Sequence, residues 1–357
     1  MSRLPDPGFW TGKRVFLTGH TGFKGSWARL WLTRMGARVT GYALRPDAAP
    51  SLHDLVGAAS GLETETIADI RDQATLRSAL EDCDPEIILH MAAQPLVRKS
   101  YAAPTETFEV NVMGTVNLLE AARSLKALRA LLVVTTDKVY GNDETGRHFV
   151  ETDRLGGHDP YSGSKAAAEL VVSTYRDAFF RAGVARIATA RGGNVLGGGD
   201  FSQDRIVPDI VRAAMAGKPL DIRNPYATRP WQHVLDCLNG YLLFSEALFL
   251  GHVDEDSLNF GPSLSEPQMP VGVVASAVNM AMGLTVPWRD VSSCDQPREM
   301  QTLGLDPDRA ARTLGWHARL SQLQTMEWTA QWYDGWRKGA AARDLSLLQI
   351  EEFTKGF

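Results

Sequence analysis

The sequence is poor in cysteine. Three among 357 residues, Cys83, Cys237 and Cys294, stand far apart and match no metal-ligand or redox spacing. That pattern excludes a disulfide framework and a thiolate metal site, and it predicts buried thiols in a reducing compartment. Long apolar runs are missing too. The longest, around Tyr241-Leu242-Leu243-Phe244, is too short and interrupted to cross a bilayer. The stretch Met1-Ser2-Arg3-Leu4-Pro5-Asp6-Pro7 has no apolar signal region. The expectation is a cytoplasmic protein that uses neither membrane nor metal. An excess of positive charge is also lacking: 37 Lys and Arg against 42 Asp and Glu give a net charge of -5. Nucleic acid is therefore not the expected partner, and any anionic ligand must be held by local donors. Internal repeats, low-complexity segments and obvious linkers are absent.

What is present begins at Thr18-Gly19-His20-Thr21-Gly22-Phe23-Lys24-Gly25, between the apolar run Val15-Phe16-Leu17 and the helical pattern from Ser26 to Leu32. Strand, glycine-rich turn and helix in that order form a pyrophosphate cradle, because glycine lets backbone N–H groups approach phosphates at a helix N-terminus. The spacing is G-x-x-G-x-x-G. His20 is bulky for the place after the first glycine, which predicts crowding of the phosphate approach and weakened cofactor binding.

Strands are predicted at 14–17, 38–43, 64–68, 87–90, 130–135 and 186–191, and helices at 25–35, 73–81, 104–124 and 160–182. Buried strands alternating with helices describe an α/β doubly wound parallel sheet of the Rossmann kind. After Gly192 the texture is mixed and loop-rich, with helices at 206–216 and 233–248 and an extended piece at 220–222. The glycines at 192–193 and 197–199 are expected where a loop nears a ligand. Trp328, Trp332 and Trp336 recur at helical spacing and predict helix core. The expected division is a dinucleotide-binding domain over 1–190, extended by about 233–260, and a smaller mixed α/β C-terminal substrate domain over 191–232 and 261–357, with a cleft between them.

Tyr161 and Lys165 lie one helical turn apart, behind a helix start at Asp159-Pro160. An ammonium beside a phenol stabilises phenolate, so Lys165 is expected to lower the Tyr161 pKa and make it a base. Thr135-Thr136-Asp137-Lys138 follow the strand ending at Val134, at the edge where open α/β sheets bind ligands. His90 lies on a strand and reads as a core histidine. The end of the second strand, Tyr42-Ala43-Leu44-Arg45-Pro46-Asp47, leaves NAD and NADP undecided.

The glycine pattern, the strand-end threonine and Tyr-x-x-x-Lys resemble the extended short-chain dehydrogenases/reductases over nearly the whole chain. Within them, Gly19–Trp27, His90–Arg98, Thr136-Asp137-Lys138, Gly193–Asp200 and Arg229–Val234 resemble the CDP-glucose 4,6-dehydratases. That resemblance implies NAD as cofactor, a nucleotide sugar (CDP-glucose) as substrate, and a homodimer joined through the helices at 104–124 and 160–182. It implies that Tyr161, with Lys165, takes the proton of the glucose 4-hydroxyl as hydride leaves C4, and that Thr136 holds the 4-oxygen. Asp137 becomes the acid at the C6 hydroxyl and Lys138 the candidate base at C5. Cofactor contacts are expected from Gly19 to Gly25 and from Asp69, Ile70, Ala92, Ala93, Gln94 and Thr135. Substrate contacts are expected from Gln94, Arg98, Tyr101, Asn194, Arg205, Arg223 and Arg229. Another nucleotide-sugar dehydratase, a 4-epimerase or a non-catalytic dinucleotide sensor are the alternatives.

Overall fold

The computed structural model describes residues 2–47, 49–58, 60–181, 183–293 and 300–355. Cys294, and Ala182 at the end of a predicted helix, lie outside them.

Seven strands make one fully parallel sheet: β1 (Arg14–Thr18), β2 (Arg38–Ala43), β3 (Leu62–Ile67), β4 (Ile87–His90), β5 (Ala130–Val134), β6 (Arg186–Gly192) and β7 (Ser257–Phe260). They lie in the order β7–β6–β5–β4–β1–β2–β3. Every residue of β4 and β5 is buried, as expected of central parallel strands covered on both faces. β3 is one edge, and its exposed Glu63 and Thr64 keep that edge polar. Strand order reverses between β1 and β4, so the crevice for a ligand opens at their carboxyl ends.

The helix after β1, α1 (Phe23–Arg34), starts at Gly22. The helix carrying Tyr161, α2 (Pro160–Tyr175), is opened by a capping box between Asp159 and Ser162, with proline in its first turn. The helix predicted over 104–124 is interrupted by a π turn at Glu109–Met113. That wider turn contains Asn111, which accepts from the Gln94 N–H and donates to the Gln94 carbonyl and Ser164 Oγ.

Beyond β6, α3 (Ile206–Ala216) and α4 (Val234–Leu250) form close to their predicted places, and β7 returns to the main sheet beside β6. Short pairs complete the second part: Asn194–Leu196 with Trp231–His233, and Leu220–Ile222 with Trp288–Asp290. The tryptophan stripe falls on α5 (Gln322–Arg337), where Trp328 and Trp332 are buried core, as expected.

Of the glycines at 197–199, Gly197 lines a cavity, as expected of a loop near a ligand. A Cβ on Gly198 would lie 2.0 Å from the Trp332 indole, and one on Gly199 2.6 Å from Leu52. At those two positions glycine is needed because the loop also runs against protein side chains. The last described helix, α6 (Ala342–Lys355), packs on α1 through an edge contact of Phe353 with Trp31.

Candidate active site

The turn after β1 has the shape its sequence predicts. Gly19 has φ of +74°, and a Cβ there would sit 2.7 Å from the Ala92 nitrogen; one on Gly25 would sit 2.1 Å from the Gly19 carbonyl oxygen. Only glycine fits either position, so the turn and the first turn of α1 stay in contact and the helix N-terminus stays open. Thr18 Oγ1 accepts from the Met91 and Ala92 N–H groups, which locks the β1 and β4 ends together. His90 Nδ1 is 2.7 Å from Thr18 Oγ1, and burial lowers the ring's pKa to about 3, so His90 is a neutral core residue.

His20 does not crowd the turn. Its ring is fully buried against Gly41 of β2, with Nε2 2.8 Å from Glu65 Oε1. His53 Nε2 lies 3.4 Å from the same oxygen, and the buried Arg29 guanidinium lies beside His53. The ring's bulk is taken up between the turn, β2 and β3. Sequence reading missed this His20–His53–Glu65–Arg29 cluster, whose members come from four separate segments.

The expected adenine contacts are partly engaged within the protein. The Asp69 carboxylate is held by Arg71, which also reaches Glu109. Ile70 is buried where a Cβ on Gly114 would strike it. Gln94 corrects an expectation: its buried amide donates to the Leu96 carbonyl and Thr107 Oγ1 and accepts from the Leu96 N–H. It shapes the loop instead of facing a ligand. Thr135 likewise turns inward, donating to Glu169.

The catalytic candidates converge as predicted. Thr136 caps the short 3-10 turn Asp137–Val139 and donates to Asp137 Oδ1 at 2.8 Å. Lys138 Nζ donates to the same oxygen at 2.9 Å and to Asn194 Oδ1 at 3.1 Å. Asp137 is fully buried, and its Oδ2 has no partner among the described residues. Tyr161 on α2 is buried and hydrogen-bonded to Thr136.

Lys165 departs from expectation. Its Nζ donates to the Val134 carbonyl at 3.1 Å, and burial lowers its pKa to about 8. Burial raises the Tyr161 phenol to about 12, and the opposing influences come from Thr136 and Arg205. The ammonium is turned toward the β5 backbone. Lys24 completes the cationic surroundings; burial lowers its pKa as well.

Next to this centre a cavity of about 150 Å³ is lined by Asn194, Arg205, Arg223 and Arg229. Four of the seven predicted substrate residues therefore share one pocket. Arg223 is 2.8 Å from Asp204, and Arg98 touches the same carboxylate at 3.9 Å. Gln94, Arg98 and Tyr101 do not line this cavity.

A Rossmann sheet with a glycine cradle, a Thr–Tyr–Lys trio and an arginine-lined pocket defines an extended short-chain dehydrogenase/reductase scaffold. Residues 16–329 match the family described as GDP-mannose 4,6 dehydratase, and the chain belongs to that family. Over 360 residues it is 42% identical to the CDP-glucose 4,6-dehydratase of Salmonella typhimurium, covering 98% of each chain. It is 28% identical to the dTDP-glucose 4,6-dehydratase of Xanthomonas campestris pv. campestris, over 89% of this chain and 92% of that one. Among solved structures, the UDP-glucose 4-epimerase of Thermus thermophilus in complex with NAD aligns with a TM-score of 0.77 and 25% identity, over 89% of this chain and 98% of that one. The dTDP-glucose 4,6-dehydratase of Bacillus anthracis in complex with NAD has the same fold, with a TM-score of 0.75 and 20% identity over 93% and 99%.

Proposed function

We propose that the protein is an NAD-dependent CDP-glucose 4,6-dehydratase, a hydro-lyase that converts CDP-D-glucose to CDP-4-dehydro-6-deoxy-D-glucose. One observation carries the reading: a buried carboxyl, Asp137, with one oxygen committed to Thr136 and Lys138 and the other unpartnered. A 4-epimerase needs no acid beyond the 4-position, whereas loss of the C6 hydroxyl needs one.

The residues present fit the cofactor. The Gly19–Gly25 turn places a helix N-terminus where a pyrophosphate would sit, and a Cβ at Gly19 or Gly25 would strike the backbone of the turn or of Met91-Ala92 and force it out of this shape. Bound there, NAD would supply the acceptor for the C4 hydrogen and later return it at C6. Tyr161 takes the 4-hydroxyl proton, and Thr136 holds the 4-oxygen. The ketone formed at C4 acidifies the C5 hydrogen, which Lys138 removes while Asp137 protonates the departing C6 hydroxyl.

The Lys138–Asp137 contact supplies both groups by one internal step. Moving a proton from Nζ across 2.9 Å to the carboxylate leaves a free amine and a protonated acid, with no change in net charge. Arg205, Arg223 and Arg229 hold the diphosphate as charged donors.

Two further parts of the reading concern its state in the cell. Helices 104–122 and 160–180 leave Phe108, Met113, Leu170 and Phe179 exposed, which supports a homodimer joined on that face; light scattering tests it. We place the protein in the cytoplasm. Incubation with CDP-glucose and NAD tests the activity: a 4-keto-6-deoxy product supports it, and a galactose-configured product or none rejects it.

A further inference from the structure

The cavity beside the catalytic centre has two ends. One begins at Asn194, the partner of Lys138. The other lies between α3 and the strand Leu220–Ile222, with Val207, Leu220 and Ile222 as buried apolar walls. A nucleotide sugar whose hexose reacts at Thr136 and Tyr161, and whose diphosphate meets the arginines, puts its base at this far end.

That end holds a carboxylate. Asp209, in the first turn of α3, lines the cavity and is half-buried. Burial raises its pKa and Arg212 opposes that. Arg212 takes Oδ1, and no hydrogen bond reaches Oδ2 among the described residues. The other acids differ. Asp204 bridges Arg223 and Arg98, Asp221 is exposed and paired with Arg289, and Asp200 is fixed by the Ser202 N–H.

Pyrimidine bases differ at one edge. Cytosine presents an amino donor at C4, where uracil and thymine present a carbonyl acceptor. A carboxylate accepts from the first and repels the second. We propose that Asp209 is the specificity-determining residue for the nucleotide, accepting the cytosine 4-amino group and rejecting uridine and thymidine diphosphosugars. The assignment rests on the dehydratase reading above.

The test compares kcat/KM for CDP-glucose and UDP-glucose in the wild type, Asp209→Asn and Asp209→Ala. Asparagine can turn its amide donor toward a carbonyl, so Asp209→Asn is expected to lower the CDP-to-UDP ratio by roughly tenfold or more. Asp209→Ala is expected to lose CDP-glucose turnover without gaining UDP-glucose. Competition by free CDP and UDP gives the same comparison as binding. A wild type selective for CDP-glucose, with ratios unchanged in both variants, overturns the assignment and leaves the dehydratase reading intact. A wild type that makes no keto product from any nucleotide sugar overturns that reading instead.

Discussion

Lys138 and Asp137 are neighbours in sequence, and their side chains meet at 2.9 Å. Adjacent residues on a strand point to opposite faces. These two meet because β5 ends at Val134 and the next residues turn into a 3-10 helix. Asp137 Oδ2 is buried beside Thr136 and Lys138 with no partner among the described residues, and loss of the proposed acid is expected to separate the two halves of the reaction. In Asp137→Asn, oxidation at C4 continues while dehydration falls roughly a hundredfold or more. A single-turnover experiment should show reduced nicotinamide accumulating by absorbance; normal product release would reject the acid role.

Lys138→Ala removes the proposed base and the ammonium 2.9 Å from Asp137. Exchange of the C5 hydrogen with deuterated solvent should stop, as read by mass spectrometry of the sugar. Undiminished exchange with full turnover would remove Lys138 from the mechanism.

Burial sets the pH dependence of the first step. The Tyr161 phenol is raised to about 12 and the Lys165 ammonium is lowered to about 8. Phenolate becomes more available as pH rises, and the raised value keeps the phenol protonated near neutrality. The expected kcat/KM climbs with pH through the neutral and mildly alkaline range. A profile flat through that range would show that ionisation of Tyr161 does not limit the reaction. Tyr161→Phe should lower kcat by roughly a hundred- to ten-thousandfold.

Stability has its own pH window. Asp236 accepts from the Arg319 and Leu320 N–H groups, and Glu246 from Asp6 N–H and Trp10 Nε1; burial raises both carboxyls to about 7. A group with a raised folded-state pKa stabilises fully below its unfolded value and loses that contribution as pH rises through the folded one. Wild type should therefore lose stability relative to Asp236→Asn as pH rises from about 3.8 towards about 7. Denaturant titrations of both proteins across that range check it; a constant difference would contradict it.

Gly198→Ala tests how tightly the loop packs on Trp332. Its Cβ would stand 2.0 Å from the Trp332 ring, so a loss of about 1–3 kcal/mol is expected from overpacking. An unchanged melting temperature would show that the loop can move aside.

Much of this architecture was legible because parallel strands read as apolar runs and the glycine turn has one spacing. β2 and β4 fall on their predicted residues, and Thr136, Asp137, Lys138 and Tyr161 come together as expected. What was hidden depends on partners distant in sequence. Nothing near Gln94 indicates that Thr107 will consume its amide. Nothing near Gly198 announces Trp332, and His20 gives no sign of Glu65 on a strand not adjacent to its own. The direction of Lys165 was misjudged for a related reason: helical spacing brings it under Tyr161, but a backbone carbonyl of β5 competes for its protons.

The packing of α6 on α1 bears on how the chain is made. Arg34 and Glu351 lie 317 residues apart in sequence and are ion-paired, in the same contact that seats Phe353 on Trp31. A ribosome delivers the glycine turn and α1 long before the helix that packs behind them. Until then Trp31 lacks the Phe353 ring that packs on it, and an incompletely packed apolar face is prone to association. A nascent chain halted before α6 should be sticky and slow to bind dinucleotide.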